Sequence, residues 1–125
     1  MKKILSILLL STLALGLTAC GGEKAETPSY NIAEAGSWTD GSYTQTAEGY
    51  GDPFDVTVTI EGGNIADVTI GPNNETKDRG SRAVDQLPSA IVDAQTYDVD
   101  VVTSATISSN AIKDATARCL QDASK

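Results

Sequence analysis

The 125-residue chain contains no histidine. Histidine is the general base of Ser-His and Cys-His catalysis and a frequent metal ligand, so its absence excludes these catalytic pairs and histidine metal sites. The glycines at 49–51 and 62–63 lack the spacing of a Walker or dinucleotide phosphate loop. Neighbouring carboxylates such as Asp98 and Asp100 are common on protein surfaces and are weak signs of catalysis or calcium binding. We therefore expect no metal and no self-sufficient active site.

Basic residues are also few. Nine lysines and arginines stand against seventeen acidic residues, a net charge of −8. If Lys2 and Lys3 leave with an export signal, seven basic residues remain against the seventeen, and the net charge becomes −10. Such a domain repels nucleic acid and anionic lipid headgroups, so we expect no nucleic-acid partner. The alternative meaning of the charge is that it keeps an exported protein soluble.

The start of the chain has the pattern of an export signal. Met1–Lys3 is basic, and the apolar segment Ile4–Leu17 is short for a membrane span and contains serine and threonine. Leu17-Thr18-Ala19-Cys20 has the form of a lipobox. This predicts a signal peptide over residues 1–19, with Cys20 as the new N-terminus carrying a diacylglycerol that holds the protein firmly on a bilayer. The alternative is a soluble exported protein with an incidental cysteine.

Residues 20–39 are predicted to form the lipid anchor and a flexible tether, because they are polar and show little periodicity. Trp38 could instead pack on the domain edge. Residues 40–125 form one domain. With Cys20 acylated, Cys119 has no disulfide partner, and its helical spacing from Ile112 predicts a small buried residue, with a redox thiol as the alternative.

Strands come first in the domain and helices follow. Residues 54–60 and 66–70 alternate with period two around a Glu-Gly-Gly-Asn turn, which predicts a β-hairpin. Residues 43–50 fit a first strand of the same sheet. A helix is expected at 78–94, and Pro88 either kinks this helix or starts a second one. A strand at 97–103 and a final helix at 109–122 are expected to follow. This order predicts an α+β fold with a small antiparallel sheet and a C-terminal helix.

The most informative segment is residues 100–110, where a β-branched run ends in small hydroxyl residues and helical spacing begins. A helix N-terminus offers unpaired N–H groups and a positive dipole end, so a phosphate would be favoured there. The alternative is an ordinary helix cap, because serine, threonine and asparagine are common at helix starts.

The same segment resembles the flavinylation motif of the covalent FMN-binding domain family, roughly Asp-x-x-Ser/Thr-Gly-Ala-Thr. The matching residues are Asp100, Thr103, Ala105 and Thr106, and Ser104 stands where the family usually has glycine. Ordered agreement continues from about residue 40 to 117. Asn74-Glu75-Thr76 falls where the family often has His-x-Glu-Thr-Pro-Gly, with Asn73 and Lys77 at the histidine and proline positions.

This resemblance implies FMN joined to Thr106 through a phosphoester bond made by a flavin transferase. It further implies that Asp100, Thr103 and Ala105 serve transferase recognition and backbone geometry. Ser104, Ser108 and Ser109 would donate to the phosphate, and Glu75 and Thr76 would line the flavin. The acidic composition would oppose added electrons and favour a low reduction potential.

The expected function is that of a lipid-anchored electron carrier on the extracytoplasmic face of a cell membrane, alone or as a subunit of a redox complex, and not of an enzyme. Its partners would be a membrane redox donor and an extracellular or periplasmic acceptor. Two alternatives remain open. One is a module that binds FMN or another ligand non-covalently as a sensor or inhibitor. The other is a structural lipoprotein without a cofactor, which Ser104 in place of glycine favours.

Overall fold

A computed structural model describes residues 29–125 of the chain. These residues form three strands, β1 (Gly41–Ala47), β2 (Phe54–Glu61) and β3 (Asn64–Ile70), and two helices, α1 (Gly80–Ala94) and α2 (Thr106–Ala123). The strands make one antiparallel sheet in the order β1-β2-β3. The predicted α+β fold, with a small antiparallel sheet followed by helices, is confirmed.

Alternation of side chains along the central strand explains the sheet. Phe54, Val56, Val58 and Ile60 of β2 are buried, whereas the residues between them are exposed or half-buried. A period of two puts these four on one face of the sheet. The β2–β3 hairpin turns through Gly62 and Gly63, whose φ angles of 62° and 82° lie in the left-handed region that favours glycine.

Both helices pack on the apolar side of the sheet. α2 contacts β1 and β2, while α1 contacts β3 and α2. Ala83, Leu87 and Ile91 recur at a spacing of four and supply the buried face of α1. Cys119 of α2 is fully buried, and burial raises the pKa of its thiol to about 11. The prediction of a small buried cysteine is therefore confirmed.

The sequence prediction of a strand at 97–103 is wrong. Within the described residues this segment contains turns and irregular structure. The backbone of this segment is bonded elsewhere, because the Val99 N–H donates to the Tyr97 carbonyl (2.9 Å) and the Val102 N–H donates to Ser109 Oγ of α2 (2.9 Å). The β-branched residues of 97–103 therefore pair with none of the three strands of the described sheet.

Two helix limits also differ from expectation. α1 runs without interruption through Pro88, so the proline does not begin a second helix. α2 begins at Thr106, three residues before the predicted start at Ser109. The earlier start makes Thr106 the first helical residue.

The part of the predicted tether that the structure describes is packed against the domain. Trp38 is 5 % exposed, and its indole N–H donates to the Ala33 carbonyl (3.0 Å). The Ala33 N–H donates to Ser124 Oγ at the end of α2 (2.8 Å), and Tyr30 reaches the middle of α2 through a hydrogen bond to Asp114. Residues 30–39 therefore pack as part of the folded unit, in addition to the predicted domain of residues 40–125.

The predicted signal peptide at 1–19, the lipidation site Cys20 and the tether through residue 28 lie outside the described residues. Within residues 29–125, neither helix is long and apolar enough to cross a membrane.

Candidate functional site

The two helices begin at the same pocket, an open cavity of about 340 Å³. α1 contributes its start at Gly80, and α2 contributes its first turn from Thr106. The pocket is lined by residues from the β1–β2 connection, the segment before α1 and the start of α2: Tyr50, Thr76, Arg79, Gly80, Ser104, Ala105, Thr106, Ile107 and Ser108. Neither helix has an acidic residue in its first turn or a side-chain cap.

Thr106 lies where this arrangement favours an anion most. Its side chain is exposed, and in the described chain no backbone acceptor meets the N–H groups of Thr106, Ile107 or Ser108. Unpaired N–H groups at a helix start, together with the positive end of the helix dipole, bind phosphate. The Thr106 hydroxyl is therefore next to a site suited to a phosphate.

A tight turn at residues 102–105 immediately precedes Thr106. The Ala105 N–H donates to the Val102 carbonyl (2.9 Å), and Ser104 within this turn has a φ of 67°. This backbone region favours glycine, because a Cβ atom crowds the following carbonyl there. The glycine of the resembled motif thus has a conformational reason, and serine occupies the same conformation in this chain.

A buried carboxylate connects the β1–β2 connection to α2. Glu75 accepts hydrogen bonds from the N–H groups of Tyr50 (3.2 Å) and Gly51 (3.0 Å) and from the Ser108 hydroxyl. Burial alone would raise the pKa of Glu75. The hydrogen bonds from Ser108, Gly51 and Tyr50 lower that pKa by more than burial raises it, so the net shift is downward and the carboxylate is ionised at neutral pH.

Glycines make room for this carboxylate. A Cβ atom at Gly49 would lie 2.6 Å from Glu75 Oε1, and one at Gly80 would lie 2.8 Å from Ser108 Oγ. Both distances are shorter than van der Waals contact. Gly49 and Gly80 therefore allow the β1–β2 connection and the start of α1 to close around Glu75.

The structure divides the predicted site residues into three groups. Five line the pocket: Thr76, Ser104, Ala105, Thr106 and Ser108. Glu75 and Ser109 are buried and do not line it. Glu75 bonds to the lining residues Tyr50 and Ser108, and Ser109 Oγ accepts the Val102 N–H (2.9 Å), which supports the turn. Asp100 and Thr103 line a separate groove of about 390 Å³ beside α1.

Sequence reasoning missed four residues that line the pocket: Tyr50, Arg79, Gly80 and Ile107. Arg79 precedes α1 and brings a positive charge to a domain of negative net charge. Tyr50 and Ile107 are large apolar side chains that are 70 % and 55 % exposed. Ile107 was detectable as an apolar residue next to the motif threonine, whereas nothing in the sequence places Tyr50 or Arg79 beside Thr106.

Comparison with known proteins decides the family. The model of the FMN-binding domain matches residues 49–121, which include the whole pocket. The chain belongs to the FMN-binding domain family. The resemblance inferred from the sequence is thereby confirmed.

Relatives of this FMN-binding domain include much longer proteins. Urocanate reductase from Eggerthella lenta is 37 % identical over 100 residues, which are 80 % of this chain and 16 % of that protein. NADH:acrylate oxidoreductase from Vibrio harveyi is 32 % identical over 77 residues, 62 % of this chain and 8 % of that protein. The chain thus corresponds to a small part of each relative.

A solved structure shares the fold. The crystal structure of the CPE2226 protein from Clostridium perfringens superposes with a TM-score of 0.56 at 24 % identity, covering 69 % of this chain and 88 % of that one.

The pocket residues fit FMN. The start of α2 offers N–H groups to a phosphate, and Arg79 adds a positive charge. The exposed apolar side chains suit the flavin ring, and the cavity volume lies in the range of about 300–1,000 Å³ that is usual for cofactor sites.

Proposed function

We propose that this FMN-binding domain is an electron carrier whose FMN is attached to Thr106 by a phosphoester bond. The observation that carries the proposal is the exposed Thr106 hydroxyl at the start of α2, beside three N–H groups that have no acceptor in the described chain. A phosphate held by these N–H groups lies within reach of that hydroxyl, since both belong to the first turn of the helix.

The attachment is a group transfer from FAD. Thr106 Oγ1 forms a bond to the phosphorus that bears the riboflavin, the anhydride bond to the adenylate breaks, AMP leaves and the hydroxyl gives up its proton. A flavin transferase with a divalent metal ion would supply this catalysis, because the domain holds no histidine and its buried carboxylate already accepts three hydrogen bonds.

A carrier role fits the residues around the pocket better than catalysis of a substrate reaction. FMN, when bound, accepts and donates electrons itself. The chain supplies binding and orientation through the first turn of α2, Arg79 and the apolar lining of the pocket. Within the described residues, no group of three or more carboxylates and cysteines is arranged to hold a metal ion. The seventeen acidic residues would lower the reduction potential of the flavin.

We further propose that the carrier is a lipoprotein on the extracytoplasmic side of a cell membrane, anchored through Cys20. The support is the lipobox Leu17-Thr18-Ala19-Cys20 after an apolar segment. A covalent cofactor suits this location, because a dissociated FMN would be lost outside the cell. Its electron-transfer partners would be a redox donor in the membrane and an external acceptor.

In cells fed a fatty-acid probe, Cys20→Ser should abolish labelling of the protein. Equal labelling of the wild type and the variant would contradict the anchor.

The decisive experiment exports the full chain together with a competent flavin transferase. We expect a flavin-fluorescent band on a denaturing gel, an intact mass increased by one FMN, and fragment spectra that place the addition on Thr106. Thr106→Ala should lose the band and keep the fold, because this side chain is exposed. Thr106→Ser is the matched control, since it keeps a nucleophilic oxygen and should retain part of the loading.

A colourless wild-type protein, in cells where the transferase loads another substrate, would contradict the covalent attachment. Flavin that is present in the native protein and washes out on denaturation would favour non-covalent binding instead.

A further inference from the structure

Two large apolar side chains at the pocket are exposed to solvent. In the described chain, the exposed large hydrophobic residues are Tyr50, Val101 and Ile107, and two of these three line the same pocket. Isolated apolar residues on a surface are ordinary, but an aromatic and an aliphatic side chain that share a pocket form a surface for an apolar ligand. The pocket therefore has an apolar part in addition to the phosphate site at α2.

The backbone of Tyr50 is held in place although its ring is free. Its N–H and that of Gly51 donate to the two oxygens of Glu75, and the same carboxylate accepts the Ser108 hydroxyl from α2. The backbone of Tyr50 and the first turn of α2 are thus both hydrogen-bonded to the buried Glu75 carboxylate. Within residues 29–125 the Tyr50 hydroxyl makes no hydrogen bond, so the ring is not committed to a protein partner.

We propose that the Tyr50 ring stacks on the flavin ring, that Ile107 is a second apolar contact, and that Glu75 is the positioning residue for Tyr50. This inference rests on the proposed attachment of FMN to Thr106. The ribityl chain separates the phosphate from the ring, so the ring can extend beyond the first turn of α2, where Ile107 lies, to a residue on another element. Tyr50, on the β1–β2 connection, lines the same pocket and is such a residue. Stacking is the geometry that aromatic pairs favour.

Flavin emission reports such stacking directly. A stacked tyrosine quenches flavin emission by transferring one electron to the excited flavin ring. The electron then returns to the tyrosine, so no net oxidation occurs. The test compares the emission of native and urea-unfolded protein at equal covalent flavin, quantified on denaturing gels. We expect weak native emission in the wild type and a several-fold gain in Tyr50→Leu. Tyr50→Phe should also gain emission, because phenylalanine is harder to oxidise, yet keep the native flavin absorption band.

Tyr97→Leu is the matched control, because Tyr97 packs against the ring of Tyr30 and does not line the pocket. It should leave the ratio of native to unfolded emission unchanged. Circular dichroism of Tyr50→Leu should match that of the wild type, since the replaced side chain is 70 % exposed.

The positioning role of Glu75 is tested by a double-mutant cycle. Glu75→Ala should raise native emission while Tyr50 is present and add nothing in the Tyr50→Leu background. Glu75→Gln, which keeps an acceptor oxygen, should restore part of the quenching. A merely structural role would change stability equally in both backgrounds and would not depend on Tyr50.

Loaded protein in which Tyr50→Leu leaves the native emission unchanged would overturn the stacking and leave the attachment to Thr106 intact. Wild-type protein without covalent flavin would contradict the attachment, and the stacking inference would fall with it.

Discussion

Hydroxyl side chains around the start of α2 divide between the pocket and its supporting frame. Thr106 is exposed at the first helical position, whereas Ser108 donates to the Glu75 carboxylate and Ser109 accepts the Val102 N–H. Only one of the three is free for covalent chemistry. Ser104, in the turn before the helix, acts through its backbone conformation instead.

Ser104→Gly should stabilise the domain. At a φ of 67°, a residue other than glycine costs roughly 1–2 kcal/mol, and the greater freedom of glycine in the unfolded chain offsets roughly 0.5–1 kcal/mol of that gain. We expect the free energy of unfolding in urea to rise by about 0.5–1 kcal/mol. Ser89→Gly, on the exposed side of α1, is the control and should be destabilising, because glycine is a poor helix former. Equal losses in both variants would show that the turn is unstrained.

Glu75→Gln should destabilise the domain in a pH-dependent way. Removing the charge from a buried acceptor of three hydrogen bonds costs about 1–3 kcal/mol at pH 7. The folded pKa of Glu75 lies below its unfolded value of about 4.3, so the stabilisation is complete above that value. It is lost as the pH falls through the folded pKa.

Urea unfolding of wild type and Glu75→Gln from pH 7 to pH 3 checks this. The two stabilities should differ most at neutral pH and converge in acid. Glu48→Gln, exposed in the same β1–β2 connection, should follow the wild-type curve throughout. A constant difference between wild type and Glu75→Gln would mean that the Glu75 charge does not contribute.

At the scale of elements, local patterns predicted the hairpin and both helices. Alternation along 54–60 and the Gly62-Gly63 pair specify β2, the turn and β3, because side-chain period and positive φ are local properties. The strand expected at 97–103 is absent although its β-branched residues have strand propensity. The N–H groups of Val99 and Val102 donate to the Tyr97 carbonyl and to Ser109 Oγ of α2 instead of to a neighbouring strand.

The site was likewise predictable where it depends on adjacent residues and not where it depends on tertiary contacts. A motif of adjacent residues located Thr106 and the turn before it. Glu75 was noted only as a weak candidate for lining the flavin, because its three donors come from the β1–β2 connection and from α2. Arg79 and Tyr50 escaped because tertiary packing alone brings them to the pocket.

Ser109→Ala should loosen the segment that leads into α2. The Val102 N–H would lose its buried acceptor, at a cost of about 1–3 kcal/mol. Hydrogen exchange of the amides at 102–105 should accelerate more than that of the sheet. Thr116→Val is the control, since the Thr116 hydroxyl is equally buried but bonds only to the Ile112 carbonyl of its own helix. Reduced flavin loading with unchanged exchange would instead indicate that Ser109 binds the phosphate.

At the scale of the whole molecule, the N-terminal segment is part of the folded unit. Thr39 donates to the Ala123 carbonyl (2.8 Å), and Ala33 and Tyr30 contact α2 at its end and near its middle. Eighteen residues of helix span about 27 Å, so Ala123 and Thr106 lie at opposite ends of α2. The segment at 30–39 thus packs along α2 and leaves the pocket at its N-terminus open.

Trp38→Ala tests whether residues 30–38 belong to the domain or to a tether. The ring is 5 % exposed and belongs to the main core cluster, so truncation should cost about 3–5 kcal/mol. In a domain of this size, each kcal/mol lowers Tm by roughly 4–8 °C, and a fall of more than about 10 °C is expected. Trp38→Phe keeps most of the apolar contact but loses the indole hydrogen bond to Ala33, so its loss should be much smaller. Calorimetry of the full-length variants measures both.

If Trp38→Ala melted at the same temperature as the wild type, the segment at 30–38 would contribute nothing to folding, and the polar composition of residues 20–39 would have indicated a tether correctly. A large loss for alanine and a small one for phenylalanine would mean that the flavin-carrying unit begins near Tyr30, which would shorten any flexible connection to a lipid on Cys20.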